Sequence, residues 1–266
     1  MTKPAALAIA AHPDDIELMM AGTLMLLAEA GYELHMFNIA NGSCGTATED
    51  AETIAARRLD EARASARVLG ATLHEPLTRD AEIFYDKPLL TQTGAVVRAV
   101  NPRIVLTHSP QDYMEDHMNA CRLAVSAVFC RGMRNFPADP PRPPVEGEAT
   151  VYHALPWGLR DPLRRVIKAG QYADIGSVLA AKREALACHK SQKEWLDQSQ
   201  GLDSYLDTME DMAAQVGRQS GAFTYAEGWR RHLHLGFCGE DADPLADALG
   251  KRHLISKEYE ASLEDA

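Results

Sequence analysis

Short apolar runs alternate with amphipathic segments along the first half of the chain. Residues 5–11 form a continuous apolar run, as in strands buried on both faces. Residues 16–30 then carry apolar side chains at helical spacing, and Gly31 is placed to end that helix. The pattern repeats and predicts strands at 33–40, 71–77 and 103–107 and helices at 51–69, 89–100 and 117–130. This alternation predicts an α/β fold: a Rossmann-like, mostly parallel sheet with helices on both faces.

The second half has a less regular pattern. Five prolines between residues 136 and 144 predict an extended connection, because proline fixes the backbone and removes a donor. A strand is predicted at 150–155, and helices at 175–189 and 202–216. We therefore expect one domain over residues 1–266, with a Rossmann-like half at 1–130 that carries the metal motifs and a C-terminal elaboration at 131–266.

Composition adds limits on the class of protein. The 266 residues are 46% hydrophobic and 24% charged, with a net charge of −11. This acidity argues against nucleic acid and an anionic membrane surface as partners, since both attract basic proteins. The start lacks the apolar core of a signal peptide, and the five widely spaced cysteines form no CxxC pair. We expect a cytoplasmic protein with reduced thiols that acts on a small-molecule substrate.

Polar residues follow the first and fourth predicted strands, where each strand ends. His12, Asp14 and Asp15 lie in an HPDD turn after the first strand, and His117 lies at the start of the helix after the fourth. These strands are neighbours in the common doubly wound order, at the point where ligands bind. Two imidazoles and one carboxylate with an open position suit catalytic zinc. We predict that His12, Asp15 and His117 bind Zn²⁺ or another divalent metal.

Asp14 would remain free beside that metal. Zinc lowers the pKa of a bound water to about 7, and a neighbouring carboxylate can accept its proton. The pattern therefore predicts metal-assisted hydrolysis of an amide or ester. Plainer interpretations exist, because aspartate commonly caps a helix and a single histidine such as His117 is typical of a helix surface.

The segment AHPDDIELMMAGTL at 11–24 resembles the signature of the LmbE/PIG-L-type zinc-dependent deacetylases. The resemblance extends to NGSCG at 41–45, RLDE at 58–61, ARVLG at 66–70, RAVNPRIVLTH at 98–108, the pair Asp116-His117, HKSQ at 189–192 and Glu227. It implies removal of an N-acetyl or other N-acyl group from an amino sugar or related small molecule, usually by a homo-oligomer. It also implies that His12, Asp15 and His117 are the zinc ligands, that Asp14 is the general base, and that Arg58 and Asp80 hold substrate.

One position departs from the family pattern. Many members have a histidine three residues before the second metal-binding histidine, where it helps to stabilise the oxyanion. Here that position holds Met114, whose thioether cannot donate a hydrogen bond. Loss of one oxyanion donor costs about 10²–10³ in rate. Tyr113, His189 and His234 are candidates to replace it and to contact the substrate.

Met114 also supports an alternative, a metal-dependent hydratase or lyase acting on a small acid. A non-catalytic sugar-binding module and an iron oxygenase with the same ligand types are further alternatives. The absence of GxGxxG, P-loop and GxSxG motifs removes dinucleotide binding, P-loop chemistry and serine hydrolysis. Trp157 and Trp229 lie in stretches that suit a sugar pocket, and the alternation of His232 and His234 fits a strand with one polar face.

Overall fold

The computed structural model describes residues 3–200 and 205–264, and at 197–200 it describes the backbone alone. A mixed eight-stranded sheet forms the centre of this part of the chain. The strands are β1 (Ala5–Ala10), β2 (Glu33–Asn38), β3 (Thr72–His74), β4 (Ile104–Thr107), β5 (Thr150–Ala154), β6 (Gln171–Asp174), β7 (Ala226–Arg231) and β8 (His253–Ile255). Their order is β3-β2-β1-β4-β5-β7-β6-β8. The first five strands in that order run parallel, and the last three are added antiparallel.

Helices cover both faces of this sheet. They are α1 (Asp15–Met19), α2 (Ala21–Glu29), α3 (Ala51–Leu69), α4 (Lys87–Val100), α5 (Glu115–Phe129), α6 (Leu179–Leu186), α7 (Lys190–Gln200), α8 (Tyr205–Ser220), α9 (Pro244–Leu249) and α10 (Lys257–Glu264). Successive residues of β1 point to opposite faces. Ala6 and Ala8 therefore lie in the apolar layer with α2 and α6, whereas Leu7 and Ile9 lie in the layer with α4 and α5. The predicted fold class is confirmed.

The first half follows the predicted elements closely, with one difference. The helix predicted at 16–30 is two helices, because the backbone turns at Met20, where φ is −136° and ψ is −19°. The helix predicted at 51–69 is α3, which begins after the cap Asp50 and ends at Gly70 in the left-handed conformation. Good capping residues at both ends explain why these bounds were readable from sequence.

The second half differs more. The helix predicted at 175–189 is shorter and is preceded by β6, and α7 follows it. The helix predicted at 202–216 corresponds to α8, and residues 202–204 lie outside the described residues. The strand inferred from His232 and His234 is wrong, because β7 ends at Arg231. The missed strands are short and polar, and they gain their place only by pairing with a sheet that already exists.

The later strands extend the same sheet as the early ones. β5 pairs in parallel with β4 and antiparallel with β7, so the chain beyond residue 131 continues the Rossmann-like half laterally. Within the described ranges, no helix has both the length and the apolar character needed to cross a membrane.

A buried ion pair joins the sheet to two helices. Lys182 on α6 lies 2.6 Å from Glu227 on β7, and both side chains are almost fully buried. The Glu227 carboxylate also accepts hydrogen bonds from the backbone N–H groups of Gly22 and Thr23 in the first turn of α2. The pair therefore satisfies free donors at the N-terminus of that helix, where a negative charge is favourable.

Truncation of Glu227 should therefore be strongly destabilising. We expect Glu227→Ala to lower the free energy of unfolding by about 3–5 kcal/mol, because Lys182 is left buried without its partner. Urea denaturation measures this change. Glu258→Ala is the matched control, because it removes an exposed ion pair with Lys168 that solvent screens, and its urea midpoint should stay near that of the unmodified protein. Equal midpoints for the two variants would contradict this account.

Candidate active site

The pairing of β1 with β4 brings the two polar segments together. Asp14 adopts the left-handed conformation, with φ of +103°, and Asp15 is the first residue of α1. The Asp15 carboxylate accepts a hydrogen bond of 2.7 Å from the His12 backbone N–H, which closes the HPDD turn. His117 lies in the first turn of α5, which follows the loop after β4.

His12, Asp15 and His117 converge on one point. One ligand atom from each lies within 4.8 Å of the other two. His117 Nε2 is 3.4 Å from Asp15 Oδ1, and His12 Nδ1 is 3.5 Å from Asp15 Oδ2. Two imidazole nitrogens and one carboxylate that leave a side open are the donor set of a catalytic divalent metal site, so these residues fit such an ion.

Two further carboxylates orient the imidazoles. Asp116 lies 2.9 Å from His12 Nε2, and Asp112 lies 3.0 Å from His117 Nδ1. A carboxylate can only accept, so the far ring nitrogen carries a proton, and when the imidazole is neutral the other nitrogen presents its lone pair to the centre of the cluster. Such outer carboxylates accompany most metal-binding histidines.

His108 and Asp112 are parts of this site that sequence reasoning missed. His108 follows the end of β4, and its ring stacks on that of His117 with centroids 4.2 Å apart. The Ala11 backbone N–H donates to His108 Nε2, which ties the ends of β1 and β4 together. His108 could have been found from the sequence, because it directly follows the strand at whose end ligands bind in this class of sheet. Asp112 lies in an irregular loop, and no sequence pattern marks it.

The electrostatics of the cluster suit a cation at its centre. Burial opposes a charge on His12, but hydrogen bonds to Asp116 and Asp15 outweigh it and raise its pKa to about 10. Burial likewise opposes charge on Asp15, yet His117 and His108 hold its pKa well below the usual range. The carboxylates thus keep their negative charge and attract positive charge, which protons or a divalent metal can supply.

Asp14 has a different environment from Asp15. Its carboxyl is 3% exposed, and burial raises its pKa to about 6 in spite of the opposing charge of Arg58. The Tyr205 hydroxyl donates to Asp14 Oδ2 over 2.5 Å, while Arg58 Nη2 lies 3.4 Å from Oδ1. Two adjacent carboxyl groups therefore differ widely in proton affinity, a pattern typical of acid–base sites.

Arg58 and Asp80 border the same cavity but are engaged with the protein backbone. Arg58 donates to the carbonyl oxygens of Pro13 (2.6 Å) and Gly42 (3.4 Å). Gly42 has φ of +80°, and a Cβ there would come within 2.5 Å of the arginine side chain. Asp80 accepts from the backbone N–H groups of Gly42 and Cys44. Arg58 therefore holds the loop after β2 against the HPDD turn, and Asp80 ties the same loop to the segment after β3.

The three candidates for the missing donor lie in different places. Tyr113 borders the cavity, with its ring edge-on to that of His117 at 5.5 Å. His189 is 1% exposed and forms an ion pair with Glu17 beneath the site. His234 lies in the turn before Phe237. Among the described residues, neither His189 nor His234 borders the cavity.

The cavity has a volume of about 470 Å³. Its acidic lining residues are Asp14, Asp15, Asp80, Glu115 and Asp116. Among the described lining residues, Arg58 is the only arginine or lysine. Its larger apolar and aromatic lining residues are Leu18, Met19, Ile83, Phe84, Tyr113, Met114, Trp157, Trp195, Leu196 and Tyr205. Trp157 thus lines the cavity as the sequence suggested, whereas Trp229 is buried in the core and donates to Thr23.

Comparisons with known proteins match this chain to one family. The model of the PIG-L family, described as GlcNAc-PI de-N-acetylase, matches residues 7–128. The diacetylchitobiose deacetylase of Thermococcus kodakarensis is 29% identical over 232 residues, which cover 84% of this chain and 81% of the relative. The 4-oxalmesaconate hydratase of Pseudomonas putida is 30% identical over 197 residues, which cover 71% of this chain and 74% of the relative.

Two solved structures have the same fold. The 4-carboxy-2-hydroxymuconate hydratase of Pseudomonas putida superposes with a TM-score of 0.72 and 26% identity, covering 86% of this chain and 96% of that one. The N,N'-diacetylchitobiose deacetylase of Pyrococcus horikoshii has a TM-score of 0.72 and 25% identity, covering 87% of this chain and 84% of that one. Relatives named for two reaction types therefore share this architecture.

The outer carboxylate Asp112 yields a test of the metal cluster. We expect Asp112→Ala to weaken zinc binding about 10–100-fold, because His117 loses the partner that orients its ring. Competition with a chromophoric chelator measures the affinity. Asp60→Ala, at an exposed position on α3, should bind zinc as the unmodified protein does. Unchanged affinity in Asp112→Ala, with the fold intact, would contradict this assignment.

Proposed function

Because the chain belongs to the PIG-L (LmbE-like) family, we propose that it is a zinc-dependent hydrolase that removes an N-acetyl or other N-acyl group from an amino sugar or related small molecule. The observation that carries this proposal is the pairing of a metal-type cluster with a buried, high-pKa carboxyl at one wall of a cavity. The family resemblance also supports a homo-oligomer, and the five free cysteines support a cytoplasmic location.

In this proposal His12, Asp15 and His117 hold the metal. A bound divalent zinc ion supplies Lewis acidity, which lowers the pKa of water to about 7 and polarises a carbonyl group. The protein contributes a fixed geometry, because Asp112 and Asp116 hold the two imidazole rings. It also contributes a buried environment, in which electrostatic interactions are stronger than in water.

Asp14 acts as the general base. A carboxyl with a pKa of about 6 is mostly ionised at neutral pH, yet it accepts a proton more readily than an ordinary aspartate. Oδ2 accepts the short hydrogen bond from the Tyr205 hydroxyl, whereas Oδ1 has only the longer contact of 3.4 Å with Arg58, so Oδ1 is the oxygen that takes the proton. The same oxygen can then return the proton to the leaving amine. Arg58 and Tyr205 keep the carboxyl in place during both transfers.

Tyr113 provides the donor that Met114 lacks. Burial, together with the negative charges of Asp15 and Asp112, raises its pKa, so the phenol stays protonated at neutral pH. Its hydroxyl forms no hydrogen bond with another residue in the described part of the chain, and its ring contacts that of His117. A half-exposed phenol that lines the cavity beside His117 can therefore donate to a developing oxyanion.

The charge of the cavity favours a neutral substrate over a small acid. Arg58 directs its N–H groups to Pro13, Gly42 and Asp14. Residues 197–204, whose side chains lie outside the described part of the chain, read DQSQGLDS and include no lysine or arginine. A hydratase acting on a small acid, which Met114 and the hydratase relatives favour, would need cationic donors to hold carboxylate groups. The carboxylates outside the metal cluster, Asp14, Asp80 and Glu115, work against it.

Asp14→Asn is the direct test of the base. We expect kcat for amine release from N-acetylglucosamine derivatives to fall about 10²–10⁴-fold, because the amide cannot accept the proton. Zinc content should stay at the level of the unmodified protein, and chelation should abolish turnover in the latter. If Asp14→Asn kept full turnover, Asp14 would have no part in the reaction.

Tyr113→Phe tests the oxyanion donor. We expect kcat to fall about 10²–10³-fold with little change in KM, since the hydroxyl acts mainly as the oxyanion develops. Steady-state kinetics of amine release measure both constants. Tyr85→Phe is the control, because its exposed hydroxyl contacts Ser126 away from the cavity. A Tyr113→Phe enzyme as fast as the control would assign the donor role elsewhere.

A further inference from the structure

We propose that the natural substrate carries an apolar substituent beside its N-acyl sugar, and that one wall of the cavity recognises it. The wall consists of five partly buried side chains: Leu18, Met19, Trp157, Trp195 and Leu196. This inference rests on the proposed function and specifies its substrate class. The substituent is either an apolar aglycone or an N-acyl chain longer than acetyl, two sources of the same contact chemistry.

The composition of this wall is the first argument. Leu18 and Met19 come from the end of α1, Trp157 from the turn after β5, and Trp195 and Leu196 from α7. Three separate segments thus expose apolar side chains to one enclosed space. Burial of such surface by a ligand is favourable in proportion to the apolar area removed from water. A bare N-acetylated sugar, which is polar on most of its surface, would leave much of that gain unused.

The position of the wall is the second argument. Leu18 and Leu196 pack against a buried cluster that includes Tyr205. The hydroxyl of Tyr205 is the donor to Asp14 Oδ2. The apolar wall therefore adjoins the carboxyl that takes part in the reaction, within reach of a substituent on a substrate whose amide lies at the cluster.

The wall is also held in place, which reduces the entropic cost of binding. The Ser191 backbone N–H and hydroxyl on α7 both donate to the Glu61 carboxylate on α3, over 3.0 and 2.5 Å. Arg57 of α3 forms a second link, an ion pair of 3.0 Å with Glu194. α7 thus presents Trp195 and Leu196 from a tethered position.

The size of the cavity is the third argument. About 470 Å³ is a volume that encloses a drug-sized ligand, and a single N-acetylated sugar fills only part of it. The polar lining is concentrated in the metal cluster and the neighbouring carboxylates. Apolar side chains line much of the rest of the cavity, namely the five residues of the wall together with Ile83, Phe84 and Met114. An anionic substituent is disfavoured there for the reason given for small acids.

The test compares three probes with zinc-loaded protein: free N-acetylglucosamine, its phenyl glycoside, and N-octanoylglucosamine. We expect kcat/KM for one of the two apolar probes to exceed that for the free sugar by about 10–200-fold. Preference for the phenyl glycoside identifies an aglycone site, and preference for the octanoyl amide identifies an acyl-chain site. Equal kcat/KM for all three would overturn the inference and leave the proposed function standing.

Two variants link the preference to the wall. Trp157→Ala and Trp195→Ala should each lower the ratio of kcat/KM for the preferred apolar probe to kcat/KM for the free sugar at least about fivefold. Leu163→Ala, at an exposed position outside the cavity, is the control and should retain the full preference. A preference that survives both tryptophan variants would overturn the inference. No amine from any probe, with zinc bound, would instead overturn the proposed function and this inference with it.

Discussion

The parallel pairing of β1 with β4 is the constraint on which the rest of the site depends. It places the HPDD turn and the loop before α5 side by side, although they are about a hundred residues apart in the chain. The hydrogen bond from the Ala11 N–H to His108 links the ends of these two strands directly. A shift of one residue in the β1–β4 register would exchange the faces of every side chain in the strand and separate His12 from His117.

The cluster is organised as alternating charges of opposite sign. Asp15 lies between two histidines, and each of these contacts a further carboxylate on its far side. Such an arrangement is costly in a buried site unless a cation completes it. Asp14, one residue away, is excluded from this pattern by the left-handed turn and faces Tyr205 and Arg58 instead. The same four-residue turn therefore produces one carboxyl with a lowered pKa and one with a raised pKa.

Relatives named as deacetylases and as hydratases share this architecture, so the fold alone does not select a reaction. The selecting features lie around the cluster. In this chain they are the methionine at 114, the neighbouring Tyr113, an arginine committed to backbone carbonyls, and an apolar wall. A substrate with several carboxylates meets repulsion there, whereas a neutral amide with an apolar substituent meets complementary surface. This balance of charge and apolar contact is the physical basis for the function proposed above.

The sequence by itself determined the parallel half of the fold and the cluster residues His12, Asp14, Asp15 and His117, because strong periodicity and strand-end placement are local signals. Only the tertiary structure decided which distant residues share the site. Asp112 lies in an irregular loop and contacts His117, and α7 in the second half of the chain brings Trp195 to the cavity. His189 carries the same chemical groups as His117, yet packing against Glu17 places it beneath the cavity. Contacts of this kind depend on long-range packing, which leaves no periodic trace in the amino-acid sequence.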